Sequence, residues 1–268
     1  MSTVIDPYAE AVHARGARFL PGLNPLAKIA APLPAMIGLV FTRDAAAPLA
    51  FLLLTYVVVV IGAPSSGRML VLLALVIPLS VLTVGLGFSV WTDASRVDQT
   101  VAVLQLGGWT LYGGALATGF ATALRLGAIV ALALIGGLTT TGPDLVRALV
   151  QHLRVPYRVG YTALAAFRFV PRFGHELEII RQAHRVRGAH GGRGPIALVA
   201  RWSGYVVPLL AGAIRHAERV ALAMDARAFG AHATRTERHL VPFRPRDAVF
   251  VGGFWAASAA LFWFTAGG

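Results

Sequence analysis

The chain contains no cysteine and a single lysine. The first absence excludes disulfides, thiolate nucleophiles and cysteine-held zinc or iron–sulfur centres. The second excludes the phosphate loop Gly-x-x-x-x-Gly-Lys-Ser/Thr, because Lys28 stands in no such motif. This chain is therefore not an ATPase of that kind. Charge of either sign is scarce too: 13% of residues are charged, against about 25% in soluble domains. With 56% apolar residues and a mean hydropathy of +0.67, the composition is that of an integral membrane protein. A soluble nucleic-acid binder could share the pI near 11.4, but not the apolar runs at residues 49–61 and 69–90. Nucleic acid is thus excluded as the expected partner. Residues 1–20 hold Asp6, Glu10, Arg15 and Arg18 and lack the apolar run of a cleavable signal peptide, so the N-terminus is expected to stay inside.

A helix needs about 20 apolar residues to cross a bilayer. Five candidates meet or approach this: residues 26–41, 48–62, 69–88, 118–138 and 249–264. The first two are short, and Pro32 and Pro34 predict a kink or break in the first. With the N-terminus inside, loop 63–68 is cytoplasmic. The loops around Arg43 and Asp44 and across 91–109 are then outside and close to neutral. Asp93, Arg96 and Asp98 read as solvated charges, and Trp91 and Trp109 as interfacial anchors. In the fourth span Ala115, Gly119, Ala123, Gly127 and Ala131 recur at every fourth position. Such a smooth stripe packs closely against another helix of the chain or against a second subunit. Arg125, in the same helix, is either a functional intramembrane charge or one that snorkels to the outer surface.

What remains is a basic block. Residues 141–246 hold 17 of the 24 Lys+Arg and 6 of the 12 Asp+Glu, so almost all of the net +12 lies there, and the positive-inside bias assigns the block to the cytoplasm. Thr139, Thr140 and Thr141 followed by Gly142, Pro143 and Asp144 signal a helix start, and a short amphipathic helix is expected over 144–153. After a break at Val155 and Pro156, a second helix covers 157–186 and carries Arg158, Arg168, Arg172, Arg181 and Arg185. Gly188, Gly191, Gly192, Gly194 and Pro195 end it and form a flexible link. A third helix is expected over 196–229, bent near Pro208 and stopped by Gly230. Both long helices end on an arginine followed by small residues: Val186-Arg187-Gly188 and Ala226-Arg227-Ala228. A purely structural reading is available, since cations favour a helix C-terminus and glycine supplies a left-handed cap. The helices are nevertheless too apolar for free solvation and too charged for the membrane core. They are expected at the cytoplasmic face, with arginines offered to an acidic partner or to anionic lipid.

On these residues the chain resembles the transmembrane T component of energy-coupling factor transporters, vitamin and metal uptake relatives of ABC importers. The resemblance starts at Leu23-Asn24-Pro25-Leu26-Ala27-Lys28. It continues through Thr139-Thr140-Thr141-Gly142-Pro143-Asp144-Leu145, Leu153-Arg154-Val155-Pro156-Tyr157 and Phe167-Arg168-Phe169-Val170-Pro171. The two arginine endings correspond to the pair of Ala-Arg-Gly signatures that close the family's coupling helices. Each ending here keeps the arginine and loses one small residue, which puts tight backbone approach at Ala228 in question.

The resemblance implies an all-α membrane protein with about five transmembrane helices and a cytoplasmic layer of three amphipathic coupling helices. Residues 1–140 would form the tail and four spans, 141–246 the coupling region and 247–268 the last span. It implies a non-catalytic subunit of a bacterial plasma-membrane importer, which transmits ATP-driven motion to a substrate-binding S component for uptake of a vitamin or metal micronutrient. ATP and Mg would sit on two partner ABC-type ATPases, with no cofactor or metal in this chain. The expected ATPase contacts are Arg187 and Arg227 with Val186, Gly188, Ala226 and Ala228, and then Arg185, Arg215 and Arg219. The stripe Ala115, Gly119, Ala123, Gly127 and Ala131 would serve the S component or internal packing.

Two other classes compete. Seven of the eight histidines lie in the basic block, which suggests a metalloenzyme or hydrolase. Yet His175-Glu176 lacks the second histidine of His-Glu-x-x-His, and Trp202-Ser203-Gly204 is no Gly-x-Ser-x-Gly elbow. A self-contained transporter should show inverted repeats or midplane charges, and beyond Arg125 the sequence offers neither.

Overall fold

Proline decides where the first span breaks. In the computed structural model, which describes residues 18–63, 67, 71–93, 98–106, 109–188, 194–237 and 239–266, it splits into α1 (Pro25–Ala30) and α2 (Leu33–Phe41). Pro34 has no amide hydrogen for the Ala30 carbonyl four residues back. The indole Nε1 of Trp255 donates to that carbonyl instead, at 3.2 Å. A membrane helix can break only where a neighbour satisfies the freed backbone, and this neighbour comes from the C-terminal helix.

The further elements are α3 (Ala46–Gly62), a π-helical turn (Leu72–Val76) leading into α4 (Ile77–Trp91), and a hairpin of β1 (Ala102–Leu106) and β2 (Trp109–Tyr112). Then come α5 (Gly113–Thr139), α6 (Gly142–His152), α7 (Tyr157–Val186), α8 (Pro195–Asp225) and α9 (Pro245–Ala266). An antiparallel hairpin thus begins within the expected loop 91–109 and runs past its end, pairing Gln105 with Thr110 and Ala102 with Tyr112. Among the described residues, four helices are long and apolar enough to cross a membrane: Leu73–Trp91, Gly113–Thr139, Ala197–Asp225 and Pro245–Thr265. Pro25–Phe41 and Ala46–Gly62 are shorter apolar helices. The protein is an all-α multi-pass membrane protein apart from the hairpin. Readings that concern residues 1–17, the loop residues 64–66 and 68, the start of the third span at Met69, Arg96, and the link residues 189–193 lie outside the described residues.

The chain divides into two compact units, Met1–Leu145 with Val241–Gly268, and Val146–Leu240. In the first, Leu39, Phe51, Val59, Leu132, Ile135 and Phe254 form a buried core, with Phe51 against Phe262 at 4.7 Å between ring centroids. Phe41, Trp263 and Phe264 are exposed, as hydrocarbon-facing residues are, and Trp91 is exposed at the last position of α4. The buried hydroxyls of Thr55 and Ser89 donate to carbonyls of their own helices, Thr55 to Phe51 and Ser89 to Gly85, whereas the Thr140 hydroxyl is buried with no partner among the described residues. The small-residue stripe faces α4 of the same chain. A Cβ added to Gly119 would lie 2.3 Å from the Ser89 hydroxyl, and one on Gly127 would lie 2.7 Å from Val81.

The N-terminal motif is a clip. Asn24 caps α1 by accepting from the Leu26 amide at 2.9 Å, and its Nδ2 donates to the Val241 carbonyl at 3.1 Å. Its amide donates to Asp247, whose carboxylate also accepts from the Arg244 amide at the start of α9. Lys28, 1% exposed, donates from Nζ to the carbonyl of Thr139, the last residue of α5, at 2.7 Å. Arg18 donates to the carbonyls of Val60 and Ala63 and so caps the end of α3.

The start of α6 still belongs to the first unit and carries the cap the sequence predicts: Thr141 accepts from the Asp144 amide and donates to its carboxylate at 2.8 Å. The helix continues through His152 and leans on α7 at Gly160, where an added Cβ would meet Val150 at 2.2 Å. The second block helix keeps its expected limits, Tyr157–Val186. The third ends at Asp225, four residues before the expected end, and runs without interruption through Pro208.

Candidate functional site

The two long helices of the basic block pair antiparallel. Phe169 meets His216 at 4.3 Å, Glu176 faces Gly212, and His184 meets Tyr205 at 5.2 Å, so α8 descends as α7 ascends. At the far end Phe229, just past α8, stands edge to face against Tyr157 at 5.8 Å and Tyr161 at 6.4 Å, at the start of α7. The consequence for the arginines is direct. Arg187 closes one end of the pair and Arg227 the other, separated by about the length of α7. Thirty residues at the α-helical rise span about 45 Å.

Each tip is built by a capping turn. At the first, the Arg187 amide donates to Ala183 and the Gly188 amide to Arg185, with Gly188 in the left-handed region at φ 70°. At the second, the amides of Ala226, Arg227 and Ala228 donate to Leu222, Met224 and Asp225, and Phe229 reaches back to Met224. This six-to-one closure is the Schellman pattern. Its left-handed residue is Ala228, at φ 54°. The conformation that puts glycine after the first arginine is thus imposed on alanine after the second. Val186, Arg187, Gly188, Ala226, Arg227 and Ala228 are all exposed, and neither the Arg187 nor the Arg227 guanidinium has a side-chain partner among the described residues.

The second tip sits on a fixed base that sequence reasoning missed. The Arg235 guanidinium lies 4.2 Å from the Tyr161 ring centroid and 5.7 Å from that of Phe229. The Tyr161 hydroxyl donates to Glu237 at 2.8 Å; burial raises its pKa and the Glu237 bond acts in the same direction. Arg158 donates to the Gly230 carbonyl, and the Tyr157 hydroxyl to that of His232. Tyr157 was visible in the sequence only as part of Pro156-Tyr157, with nothing to pair it with Phe229.

The remaining candidates part company. Arg219 lies 3.4 Å from His216 Nδ1, Arg215 is exposed on α8, and Arg185 lines a cleft with Arg181 and Arg201. Ala115, Gly119, Ala123, Gly127 and Ala131 are buried against the chain's own helices. In the same helix the Arg125 Nε is buried and makes no hydrogen bond within the described residues. Among those residues no three His, Asp or Glu side chains gather as metal ligands.

Comparison with known proteins agrees with this architecture. Residues 16–238 match the CbiQ family, described as cobalt transport protein. The chain is 30% identical to the energy-coupling factor transporter transmembrane protein of Bacillus selenitireducens, over 89% of this chain and 90% of that one. It is 26% identical to the protein of that name from Bacillus subtilis, over 61% of this chain and 65% of that one. A 31% identical match to a provisionally named ABC transporter ATP-binding protein of Bifidobacterium longum covers 53% of this chain but 18% of that one.

Proposed function

Because this chain belongs to the CbiQ family, as a transmembrane T component of energy-coupling factor transporters, we propose that its basic helix pair couples two cytoplasmic ATPases to a substrate-binding S component. The observation that carries this reading is the placement of Arg187 and Arg227. Two exposed guanidiniums at opposite ends of one helix pair, about 45 Å apart, suit two separate acidic grooves better than one. An arginine fork pairs bidentately with carboxylates. The match to a protein named for ATP binding favours the same partner class.

In this reading α7 and α8 lie at the cytoplasmic face of a bacterial plasma membrane. Although α8 is apolar enough to span, it carries Arg201, Arg215, Glu218 and Arg219 and pairs with the arginine-rich α7. ATP and Mg act on the partner subunits. Binding and hydrolysis move the two grooves together and apart, the arginine tips follow, and the helix pair passes the displacement to the S component, which releases a vitamin or metal micronutrient inside. Catalysis by this chain is not required.

The test is Arg187→Ala and Arg227→Ala, alone and together, in the assembled transporter. Losing one charge-assisted contact should weaken attachment by about 1.5 to 3 kcal/mol. Each single variant should therefore reduce ATPase co-purification and the double variant should abolish transport. Undiminished co-purification and transport in the double variant would overturn the assignment.

A further inference from the structure

Between the C-terminal half of α7 and the N-terminal half of α8 lies a cleft of about 330 Å³, lined by Arg181, His184, Arg185, Leu198, Arg201, Trp202 and Tyr205. Three guanidiniums converge on one small volume, and no carboxylate lines it among the described residues. Glu178 stands one turn back along α7. Its carboxylate reaches Arg181 at 3.8 Å, in a pair exposed to solvent on both sides, so it neutralises little.

The cleft is also ordered. The Arg181 guanidinium lies 5.1 Å from the Trp202 ring centroid and 6.0 Å from that of Tyr205. Tyr205 in turn meets His184 at 86° and Trp202 at 67°. Cation–π contacts of this kind hold a guanidinium in place without consuming its hydrogen-bond donors. Arg201 spends one donor, Nε, on the Ala197 carbonyl of its own helix. Donors therefore remain on Arg181, Arg185 and Arg201, in a cleft that lacks acceptors to match.

From this we infer a phosphate-binding cleft whose ligand is the headgroup of an anionic phospholipid. The charge calls for a phosphate. The lipid source follows from the lining itself: Leu198 is 50% exposed and Trp202 48% exposed at the cleft. An apolar rim next to three arginines is useless to a free anion but accommodates the glycerol and upper acyl region of a lipid, with Trp and Tyr at the headgroup level where they are enriched. This reading does not depend on the coupling role of Arg187 and Arg227. A lipid held here would steady the paired helices at the membrane surface.

The full chain is placed in nanodiscs of phosphatidylcholine containing a minor fraction of phosphatidylglycerol, and retained lipid is counted by native mass spectrometry. Phosphatidylglycerol should be retained selectively, and the pair Arg181→Gln with Arg201→Gln should cut that retention about thirtyfold, from two lost basic groups at the surface. The charge-matched pair Arg168→Gln with Arg172→Gln, exposed elsewhere on α7, should cut it less than about threefold. Trp202→Leu removes the stacking without changing charge and should weaken retention as well. Equal losses in the two arginine pairs would reduce the site to general surface charge and overturn it. Inorganic phosphate alone, binding with the same arginine dependence and displacing the lipid, would overturn the lipid source.

Discussion

Phe229 meets Tyr157 edge to face, at 5.8 Å between centroids and 78° between planes, and so ties the turn that carries Arg227 to the opposite end of the helix pair from Arg187. A lever needs its contact point fixed to its arm. Tyr161 adds a second edge-to-face partner and Arg235 covers both rings. Phe229→Ala should release the turn after α8 by about 1 to 2 kcal/mol, the worth of one or two aromatic pairs. Hydrogen exchange at residues 226–232 reads this directly. Protection there that is unchanged, or lost equally at residues 183–188, would show that the ring does not anchor the tip.

Gly188 and Ala228 invite a reciprocal exchange. Both adopt left-handed backbone one residue after an arginine, at φ 70° and 54°. An L-residue pays roughly 1 to 2 kcal/mol there, although glycine brings a more flexible unfolded chain. Ala228→Gly should therefore raise the local stability of its cap by about 1 kcal/mol, and Gly188→Ala should lower its own by a similar amount. Space is not the reason at position 188, since an added Cβ meets nothing within 4 Å. Thermal unfolding in detergent, with hydrogen exchange at both caps, checks the pair. Opposite signs are expected, and the same sign at both positions would refute the backbone argument.

The stripe on α5 gives a steric test. Gly119→Ala would force a Cβ to within 2.7 Å of the Ser89 backbone nitrogen and 2.8 Å of the Gly85 carbonyl oxygen, neither of which can swing away. Separating α4 from α5 by the width of a methyl group should cost about 1 to 3 kcal/mol. Gly137→Ala in the same helix meets nothing and should be neutral or mildly stabilising. Equal melting temperatures for the two variants would mean that the stripe does not set the packing distance.

Much of this was legible before any coordinates. Pro156 and the apolar spacing defined α7 at both ends, and Thr141 with Asp144 announced the start of α6. The helix after the glycine link was expected to persist to Phe229, because Ala226, Arg227 and Ala228 carry no signal against helix. What stops it is tertiary: Phe229 gains two tyrosines by leaving the helical path. The hairpin has a local signal, Gly107-Gly108 between the strand-like runs Leu104-Gln105-Leu106 and Trp109-Thr110-Leu111-Tyr112, but its strands are too short to register among membrane-length apolar segments. The antiparallel pairing that parts Arg187 from Arg227 could not be read at all, since contacts such as Phe169 with His216 have no local signature. Nor could the partner that Trp255 supplies to Ala30.

That last contact and the lysine clip bear on how the first span is held. Trp255→Phe keeps the ring and removes the donor, leaving the Ala30 carbonyl without its partner beside a proline that cannot serve it. The bond lies on the outside of the helices, where hydrocarbon offers no water to replace the donor, and an unsatisfied carbonyl there costs about 1 to 3 kcal/mol. Lys28→Met should be worse. It keeps the length of the side chain and deletes the charge that meets the Thr139 carbonyl at the end of α5, with Asp144 and Asp247 as the acids acting on it. Losing a charge-assisted hydrogen bond to a backbone carbonyl typically costs about 1.5 to 3 kcal/mol, and the two acids lose their nearby cation as well. The double variant Lys28→Met with Asp144→Asn should then recover part of the loss, since it withdraws one of those charges. Thermal unfolding of the purified chain decides the matter. A Lys28→Met protein as stable as the parent, or a double variant whose losses simply add, would mean that this lysine caps a helix and does nothing more.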